Sequence, residues 1–566
     1  MKNKITRRQF INTAAKAGVF IGIADGFGSG KFYSASNQFD LIIKNGQIAD
    51  GIKSELYKAD LGIISEHIEV IGNLQSAQAK SIIDAKGSVV SPGFIDIHSH
   101  TDLELFINPK AESKIRQGVT TELSGNCGGS AFPKKEPLSP REKSLKKELN
   151  LEFDWTDLKG YHSAMEKRGI AVNHATLLGH GTLRSYVMHE ERREPILEEM
   201  ELMKRHVAEA MEQGAFGLST GLEYTPSGFA KAQEVIELCR VVRKYGGFYA
   251  THVRSEDNLC LQAIGESIYI AENAGVPLQI SHLKVCGKIN WWQMPMMIEL
   301  IERAQQRGVL VTADRYPYTA YSTGLSVFFP QGALEGGDEK FVERLKDKDL
   351  RQKMRYETLE KVIGNNSWES ILIVNVNTDK NRPLEGKYIS EIAAEKNQDP
   401  YEFACDLLIE EGGDVSVVGF AMSEEDTQLI LKHPLVMLCS DGSALAPYGP
   451  LNRGVPHPRN YGAFPHFLKV YVREKKLFSL PEAIKKMTSM PAAKIGLKDR
   501  GSIKKGNFAD LVIFDPSTIA DKATYTEPQQ YPVGIDYVIV NGKIVIDHEK
   551  HTGELPGKVL NSPGKK

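Results

Sequence analysis

Two histidines separated by one residue are the first feature of this sequence that could do chemistry. His98 and His100 follow an apolar run that begins at Val89, and Asp102 comes two residues later. On an extended strand, side chains two residues apart point to the same side, so both imidazoles can hold one metal ion. The stretch Val89 to Asp102 therefore predicts a metal site at the end of a buried strand. The alternative is a pair of structural core histidines.

Strands are the elements that would position these side chains. From Val89 to about Lys494, strand-like runs alternate with longer helical patterns, which is typical of βα units around a parallel sheet. The runs are 89–98, 118–127, 171–180, 215–222, 247–254, 277–284, 309–318 and 435–442. Eight such runs predict an α/β fold, a closed (β/α)8 TIM-type barrel, whose chemistry would lie at the carboxyl ends of its strands.

Six side chains that can bind metal fall at these predicted strand ends: His98, His100, Cys127, His252, His282 and Asp441. A thiolate, neutral imidazoles and a carboxylate together favour zinc. Glycines flank Cys127 in GNCGGS, so the backbone can approach closely there. The remaining cysteines are assigned to packing, although Cys286 lies close enough to His282 in sequence to stay open.

The two ends of the chain carry short alternating runs that predict a small β domain. Asn45-Gly46 and Asn541-Gly542 each stand between such runs and predict type I′ hairpin turns. Residues 36–90 and 495–566 are therefore expected to pair into one β domain beside a barrel of residues 91–494. A segment at about 325–411, too long for a simple crossover, is expected to form an inserted subdomain that could cover the active site.

Residues 1–35 look like an export signal. Arg7 and Arg8 precede Phe10, and a moderately apolar stretch from Ala14 to Ala24 follows. The pair resembles the twin-arginine signal, whose export machinery carries folded proteins across the inner membrane. The apolar stretch is too short for a transmembrane span, so the sequence predicts a periplasmic or otherwise exported protein without stable membrane insertion.

Composition narrows the class of partner. The chain has 566 residues with a formal net charge of -2, and its charged residues form no long block of one sign. There is thus no electrostatic signature of nucleic-acid binding or of an anionic membrane, and a small-molecule partner is expected. The six cysteines include no C-x-x-C pair, which argues against a disulfide framework or a zinc finger.

Several motifs together resemble the D-aminoacylase (N-acyl-D-amino-acid deacylase) family of the amidohydrolase superfamily. They are the His-x-His strand, GNCG, GLSTGLEY (217–224), THVRSE (251–256), SHLK (281–284), YPYTAYST (316–323), SDG (440–442) and HPRNYGAF (457–464). The resemblance covers nearly all of the chain after residue 35. It implies zinc-dependent hydrolysis of the amide bond of N-acyl-D-amino acids.

The resemblance also implies roles for individual residues. One tight zinc site would be held by Cys127, His252 and His282, and a second, weaker site by His98, His100 and Asp441 with Cys127 shared. The substrate carboxylate would be received by Lys284, Tyr316, Ser322 and Arg459.

Chemistry agrees with these roles. A zinc ion acidifies water and polarises an amide carbonyl. Asp441, in a Ser440-Asp441-Gly442 turn that offers it no obvious structural partner, could take a proton from the water and return it to the leaving amine. The fork of Arg459 matches a carboxylate, and this clamp is expected to be separate from the chemistry.

Two departures from the family pattern lie beside the predicted site. Gly129 stands where a bulky aromatic residue is usual, and Leu283 where a second histidine is common. Both are expected to change the shape of the pocket for the acyl group or for the side chain.

Two alternatives stay open at this point. A cyclic amidase of the hydantoinase or dihydroorotase kind would share the barrel and the His-x-His motif, but usually bridges its metals with a carbamylated lysine on strand four, and the run 215–222 contains no lysine. A catalytically inactive, exported binding protein of the same fold would be expected to have lost ligands.

Overall fold

The computed structural model of the chain describes residues 38–135, 140–149 and 151–564. The predicted export signal lies outside these residues. The strands, numbered along the chain, are β1 (Phe39–Ile48), β2 (Tyr57–Ile64), β3 (His67–Gly72), β4 (Ala79–Asp84), β5 (Val89–Pro92), β6 (Phe94–Asp96), β7 (Val119–Ser124), β8 (Asn173–Thr176), β9 (Leu178–Gly179), β10 (Gly217–Gly221), β11 (Phe248–His252), β12 (Leu278–Ile280), β13 (Val311–Arg315), β14 (Ala320–Gly324), β15 (Ile371–Asn375), β16 (Ser416–Phe420), β17 (Val436–Leu438), β18 (Leu511–Phe514), β19 (Ile535–Val540), β20 (Lys543–Asp547) and β21 (Lys550–His551).

Helices connect most of these strands. The α-helices span Glu104–Ile107, Glu112–Ile115, Pro140–Leu149, Leu158–Arg168, His180–Met188, Leu197–Glu212, Ala232–Lys244, Cys260–Ala274, Met294–Gln306, Gly337–Lys346, Lys348–Gly364, Ile389–Glu395, Pro400–Glu410, Glu424–Lys432, Arg459–His466, Leu480–Met487 and Ser489–Lys494. A π-helix spans Phe467–Glu474. Among the described residues, no helix combines the length and the apolarity that crossing a bilayer requires.

One sheet joins strands from both ends of the chain. Its nine strands run in the order β21-β20-β19-β18-β5-β1-β2-β3, with β4 paired to β1. The two ends meet in the antiparallel pair β18–β5, where Ile513 lies opposite Val90. Apolar side chains of these strands, Leu41, Ile63 and Ile513 among them, form a core of their own.

The two predicted hairpin turns have different outcomes. Asn541-Gly542 links β19 to β20, both residues have positive φ, and the prediction is confirmed. The prediction at Asn45-Gly46 is wrong, because both residues lie inside β1, where the pairing with β2 shifts register as in a β-bulge. Asn45 accommodates the bulge because its backbone N–H donates to the carboxylate of Asp60.

The prediction of a single strand from Val89 to His98 is wrong, because this run forms two strands, β5 and β6. β5 belongs to the nine-stranded sheet, whereas β6 pairs with β7 in another sheet. The break falls at Gly93, where a Cβ atom would lie 2.0 Å from the hydroxyl oxygen of Thr120. His98 and His100 therefore lie beyond the end of a strand, and both belong to the connection that follows β6.

Two parallel sheets carry the strands that lead to the site. They have the orders β6-β7-β8 and β17-β13-β12-β11-β10-β9. Each of these strands falls inside one of the eight predicted runs, and the run 171–180 divides into β8 and β9. A bridge between Ser99 and Gly442 places the end of β6 beside the end of β17. The fold is mixed α/β with separate sheets.

The segment between β13 and β17 carries the fourth sheet, which is antiparallel and has the order β14-β16-β15. This sheet begins at Ala320 and ends at Phe420, so it extends beyond the predicted insertion at both ends. The helix Lys348–Gly364 and the short 3-10 turn Leu325–Phe328 lie between its strands in sequence. Both contribute side chains to the cavity described below.

Lys114 is a fully buried lysine that ties β6 to the loop after β17. Its ammonium group lies 2.7 Å from the Asp96 carboxylate and donates to the Ser440 hydroxyl and the Gly442 carbonyl at 2.6 and 2.8 Å.

We expect Lys114→Met to lower the free energy of unfolding by about 3–5 kcal/mol, because the Asp96 charge would stay buried without its cation. Denaturant unfolding measures this. The exposed Lys110→Met should change stability by less than about 0.5 kcal/mol, and equal losses in both variants would contradict the role of Lys114.

Candidate metal centre and substrate cavity

The six predicted metal-binding side chains all lie at the carboxyl ends of strands in the two parallel sheets. His252 is the last residue of β11, while the other five follow β6, β7, β12 and β17 within a few residues. Cys127, His282 and Asp441 have positive φ values of 51°, 35° and 51°. This conformation is costly for residues other than glycine, and such strain is concentrated at functional sites.

Two of the groups that these side chains form could each hold a metal ion. In the first, the Cys127 sulfur lies 3.4 Å from Nε2 of both His98 and His282. In the second, an Asp441 carboxylate oxygen lies 3.0 Å from Nε2 of His100 and 3.4 Å from Nε2 of His98. The potential ligand atoms of each group lie within 4.8 Å of one another.

His252 lies beside His282 and two carboxylates. A third group joins it to Glu256 and His282, and its ring centroid lies 4.6 Å from that of His282. Its Nε2 lies 2.9 Å from the Glu223 carboxylate, and its buried Nδ1 has no hydrogen-bond partner among the described residues. The rings of His98 and His252 thus both lie beside that of His282, with centroids 4.9 and 4.6 Å away, and the implied ligand set of Cys127, His252 and His282 stays a prediction.

Charge at the centre favours ligands in their ionised forms. Burial raises the pKa of the Cys127 thiol, but the nearby His98 and His282 hold it well below its ordinary value. Burial likewise opposes ionisation of Asp441, and Arg459 outweighs it, so that the pKa of this carboxyl is also well below its usual range. A thiolate and a carboxylate beside imidazoles are the donors that zinc prefers.

Three carboxylates that sequence reasoning missed support the histidines. Asp314 lies 3.3 Å from Nδ1 of His98 and accepts from the backbone N–H of His282 at 2.7 Å. Glu256 lies 3.0 Å from Nδ1 of His282, and Glu223 contacts His252. Carboxylates of this kind fix the orientation of ligand imidazoles. Glu223 and Glu256 stand in the motifs GLSTGLEY and THVRSE, so their positions were available as a signal.

Of the four residues predicted to receive the substrate carboxylate, Lys284, Ser322 and Arg459 line a cavity beside this centre, whereas Tyr316 does not. Ser322 lies on β14, and Tyr316 is fully buried, with a hydroxyl that has no hydrogen-bond partner among the described residues. Lys284 Nζ lies 2.5 Å from the Glu256 carboxylate and 2.8 Å from Nδ1 of His282.

The contact between Arg459 and Asp441 contradicts two predictions. Its Nη1 donates to the Asp441 carboxylate at 2.6 Å, so Asp441 does have a partner, and the predicted separation between clamp and chemistry is wrong. The backbone N–H of Asp441 also donates to the His98 carbonyl. The reason is tertiary: the helix Arg459–His466 packs its first residue against the loop after β17.

Two chambers meet at this centre. The first has a volume of about 310 Å³ and is lined by His252, His282 and Lys284, together with Phe328 and Lys361 from the segment between β13 and β17. The second, of about 610 Å³, is lined by residues that include Val374 and Leu451. Both chambers share the same four residues, which are His100, Ser322, Asp441 and Arg459.

The remaining cysteines are buried, as the packing assignment requires. The open case was Cys286, which lines the first chamber but has its sulfur 4.0 Å from that of Met422. It belongs to none of the three potential metal groups.

Comparison with known proteins places the chain in a family. The model of the amidohydrolase family matches residues 81–312 and 374–546. A D-aminoacylase of Alcaligenes xylosoxydans xylosoxydans is 36% identical over 527 residues, which cover 93% of this chain and 98% of that protein. An N-acyl-D-aspartate deacylase of the same organism is 34% identical over 534 residues, with coverage of 94% and 96%.

A solved structure agrees with these relatives. It is an N-acyl-D-glutamate deacylase of Bordetella bronchiseptica, complexed with zinc and with a phosphonate inhibitor that mimics the tetrahedral intermediate of the reaction. The chains are 33% identical with a TM-score of 0.79, covering 93% of this chain and all of the other. The chain therefore belongs to the amidohydrolase family and, within it, to the D-aminoacylases and N-acyl-D-amino-acid deacylases.

Proposed function

We propose that the protein hydrolyses the amide bond of N-acyl-D-amino acids with the help of zinc, releasing a carboxylic acid and a free D-amino acid. The observation that carries the proposal is the convergence of thiolate, imidazoles and the Asp441 carboxylate at the junction of two chambers. Relatives that share most of their length with this chain are deacylases of D-amino acids, which supports both the reaction and the D configuration.

Zinc fits the residues present. We assign a tight site to Cys127, His252 and His282 and a weaker site to His98, His100 and Asp441, with Cys127 shared. The buried, unpartnered Nδ1 of His252 supports its inclusion, because an orphaned polar atom at a metal centre can be satisfied by the ion. When bound, zinc would polarise the scissile carbonyl and make a water molecule more acidic.

Asp441 is the residue to which we assign proton transfer. Its carboxylate is buried at the junction of the chambers and held ionised by Arg459, so it can accept a proton from the attacking water. The same group then delivers that proton to the nitrogen of the breaking amide. His100, only 3.0 Å away, keeps the carboxylate facing the metal centre.

Recognition of the substrate carboxylate is assigned to Lys284, Tyr316, Ser322 and Arg459. Ser322 and Arg459 stand where the chambers meet, and the Tyr316 ring lies 5.0 Å from the guanidinium carbon of Arg459. Because Arg459 and Lys284 already contact Asp441 and His282, substrate binding and chemistry are coupled here.

We also propose that the two parallel sheets are parts of one (β/α)8 barrel. The bridge between Ser99 and Gly442 supports closure on one side. The small β domain of residues 36–90 and 495–566, the barrel of residues 91–494 and the insertion at about 325–411 remain the proposed division of the chain.

The alternatives receive less support. β10 contains no lysine that could bridge two metals, as the cyclic-amidase alternative requires. An inactive binding protein would have no need for the set of supporting carboxylates around the histidines.

Activity on matched enantiomers tests the proposal. Zinc-loaded protein should hydrolyse N-acetyl-D-amino acids and leave the L enantiomers almost untouched, with amine release as the readout. If the protein hydrolysed hydantoins instead, or hydrolysed none of a set of N-acetyl-D-amino acids with different side chains, the proposal would be wrong.

Export by the twin-arginine machinery is a separate proposal, supported by Arg7 and Arg8 before Phe10. We expect replacement of both arginines by lysine to leave folded enzyme in the cytoplasm, because the pair is the recognised part of such a signal. Cell fractionation measures this, and Lys2→Arg with Lys4→Arg is the control. Unchanged export of the double-lysine variant would contradict the route.

A further inference from the structure

The wall of the first chamber carries an unequal number of positive and negative side chains. Apart from the Asp441–Arg459 pair, the carboxylates and ammonium groups that line it belong to Glu223, Glu256, Asp257, Lys284 and Lys361. Their three carboxylates exceed their two ammonium groups by one. The excess can be located because the other four residues form close pairs.

Two ion pairs account for those four residues. Lys284 Nζ lies 2.5 Å from Glu256, on the side of the chamber next to His282. Lys361 Nζ, from the helix Lys348–Gly364, lies 2.7 Å from Glu223. Each pair is thus balanced within itself.

Asp257 is the carboxylate left over. Its oxygens accept from the Ser255 hydroxyl at 2.6 Å and from the Asn365 side-chain amide at 3.0 Å, which are both neutral donors. Among the described residues, no ammonium, guanidinium or imidazole nitrogen lies within 4.0 Å of it. Burial and the neighbouring Glu223 raise the pKa of Asp257. A carboxylate that has only neutral donors in a largely buried place is therefore stabilised when a cation approaches it.

The amino-acid half of the substrate belongs in this chamber. Lys284, one of the proposed receivers of the substrate carboxylate, lines the first chamber and not the second, whereas Ser322 and Arg459 line both. Val327, Phe328 and Tyr321 give the same chamber an apolar surface. An aliphatic stem can pack on that surface while its charged end reaches Asp257.

We propose that the first chamber selects D-amino acids with a basic side chain, and that Asp257 is the specificity-determining residue. The inference rests on the proposed deacylase function and names its substrate class. A side chain with a carboxylate at its end would meet Asp257 and Glu223 with only the paired Lys361 to oppose them. A basic end would find Asp257 unpaired.

Three N-acetyl substrates test the inference on the zinc-loaded enzyme: those of D-lysine, D-norleucine and D-glutamate. D-Norleucine has the lysine stem without its ammonium group. We expect kcat/KM for D-lysine to exceed that for D-norleucine by about 10- to 100-fold, the range of a hydrogen bond between charged groups, and D-glutamate to be the poorest substrate. If D-norleucine or D-glutamate equals or exceeds D-lysine, the inference fails while the deacylase function stands. If the enzyme hydrolysed neither these three substrates nor any other N-acetyl-D-amino acid, both the inference and the proposed deacylase function would be wrong.

Two variants should move the ratio of D-lysine to D-norleucine in opposite directions. Asp257→Asn should lower it at least tenfold, because the amide keeps the bonds to neutral neighbours but loses the charge. Lys361→Met should raise it, since Glu223 loses its partner. Lys353→Met, on the exposed face of the same helix, is the control and should leave the ratio unchanged. If neither Asp257→Asn nor Lys361→Met altered the ratio, the assignment of Asp257 as the specificity-determining residue would be wrong. Turnover of the D-norleucine substrate in the same samples shows that each variant is folded.

Discussion

Cys127→Ala is expected to remove both the tightly held zinc and the activity. The sulfur is the thiolate of the cluster and lies 3.4 Å from two imidazoles, so alanine deletes the ligand that both proposed sites share. Zinc content should fall from about one ion per chain to near zero, and hydrolysis of N-acetyl-D-amino acids should fall to background. Metal analysis of the purified protein and an amine-release assay measure the two effects.

Cys286→Ala provides the matched control. This cysteine lines the same chamber and is more deeply buried than Cys127, but its sulfur contacts Met422. The variant should keep its zinc. If Cys127→Ala also kept a full complement of zinc, the ligand assignment would be wrong and the other donors of the centre would have to hold the ion without sulfur.

Asp441→Asn is expected to stop catalysis while the protein keeps its fold and its tight zinc. Asparagine has nearly the same shape but cannot accept the proton, and loss of a positioned general base lowers kcat by about 100- to 10,000-fold. We expect the upper end of that range, because the same carboxylate would protonate the leaving amine.

The Arg459 contact adds a second expectation for this variant. Arg459 loses the anionic partner that lies 2.6 Å from its Nη1, so KM should change together with kcat. Steady-state kinetics, zinc analysis and a thermal unfolding curve separate these effects. Asp379→Asn, at an exposed position, is the control for the loss of a carboxylate. If zinc-loaded Asp441→Asn kept a near-normal kcat, the assignment of proton transfer to Asp441 would be wrong.

The sequence by itself determined which residues stand at the ends of which strands. The runs that became β7, β10, β11, β12, β13 and β17 were recognised because burial imposes a local pattern of apolar residues and turn formers. The six potential ligands followed from that pattern, since parallel strands present their carboxyl ends at one edge of a sheet. Asn541-Gly542 was equally local, because a type I′ turn needs only two residues that tolerate positive φ.

Only the tertiary structure decided which of these residues touch. Asn45-Gly46 has the same local chemistry as Asn541-Gly542, but the carboxylate of Asp60 and the neighbouring strands turn it into a bulge. The contacts of Cys127 with His98 and His282 join residues 29 and 155 positions apart, and that between Lys361 and Glu223 joins residues 138 apart. Distances of this kind depend on how helices and connections pack, which no local pattern records. The partners of Asp441 and the charge left on Asp257 could therefore be found only once the chain was folded.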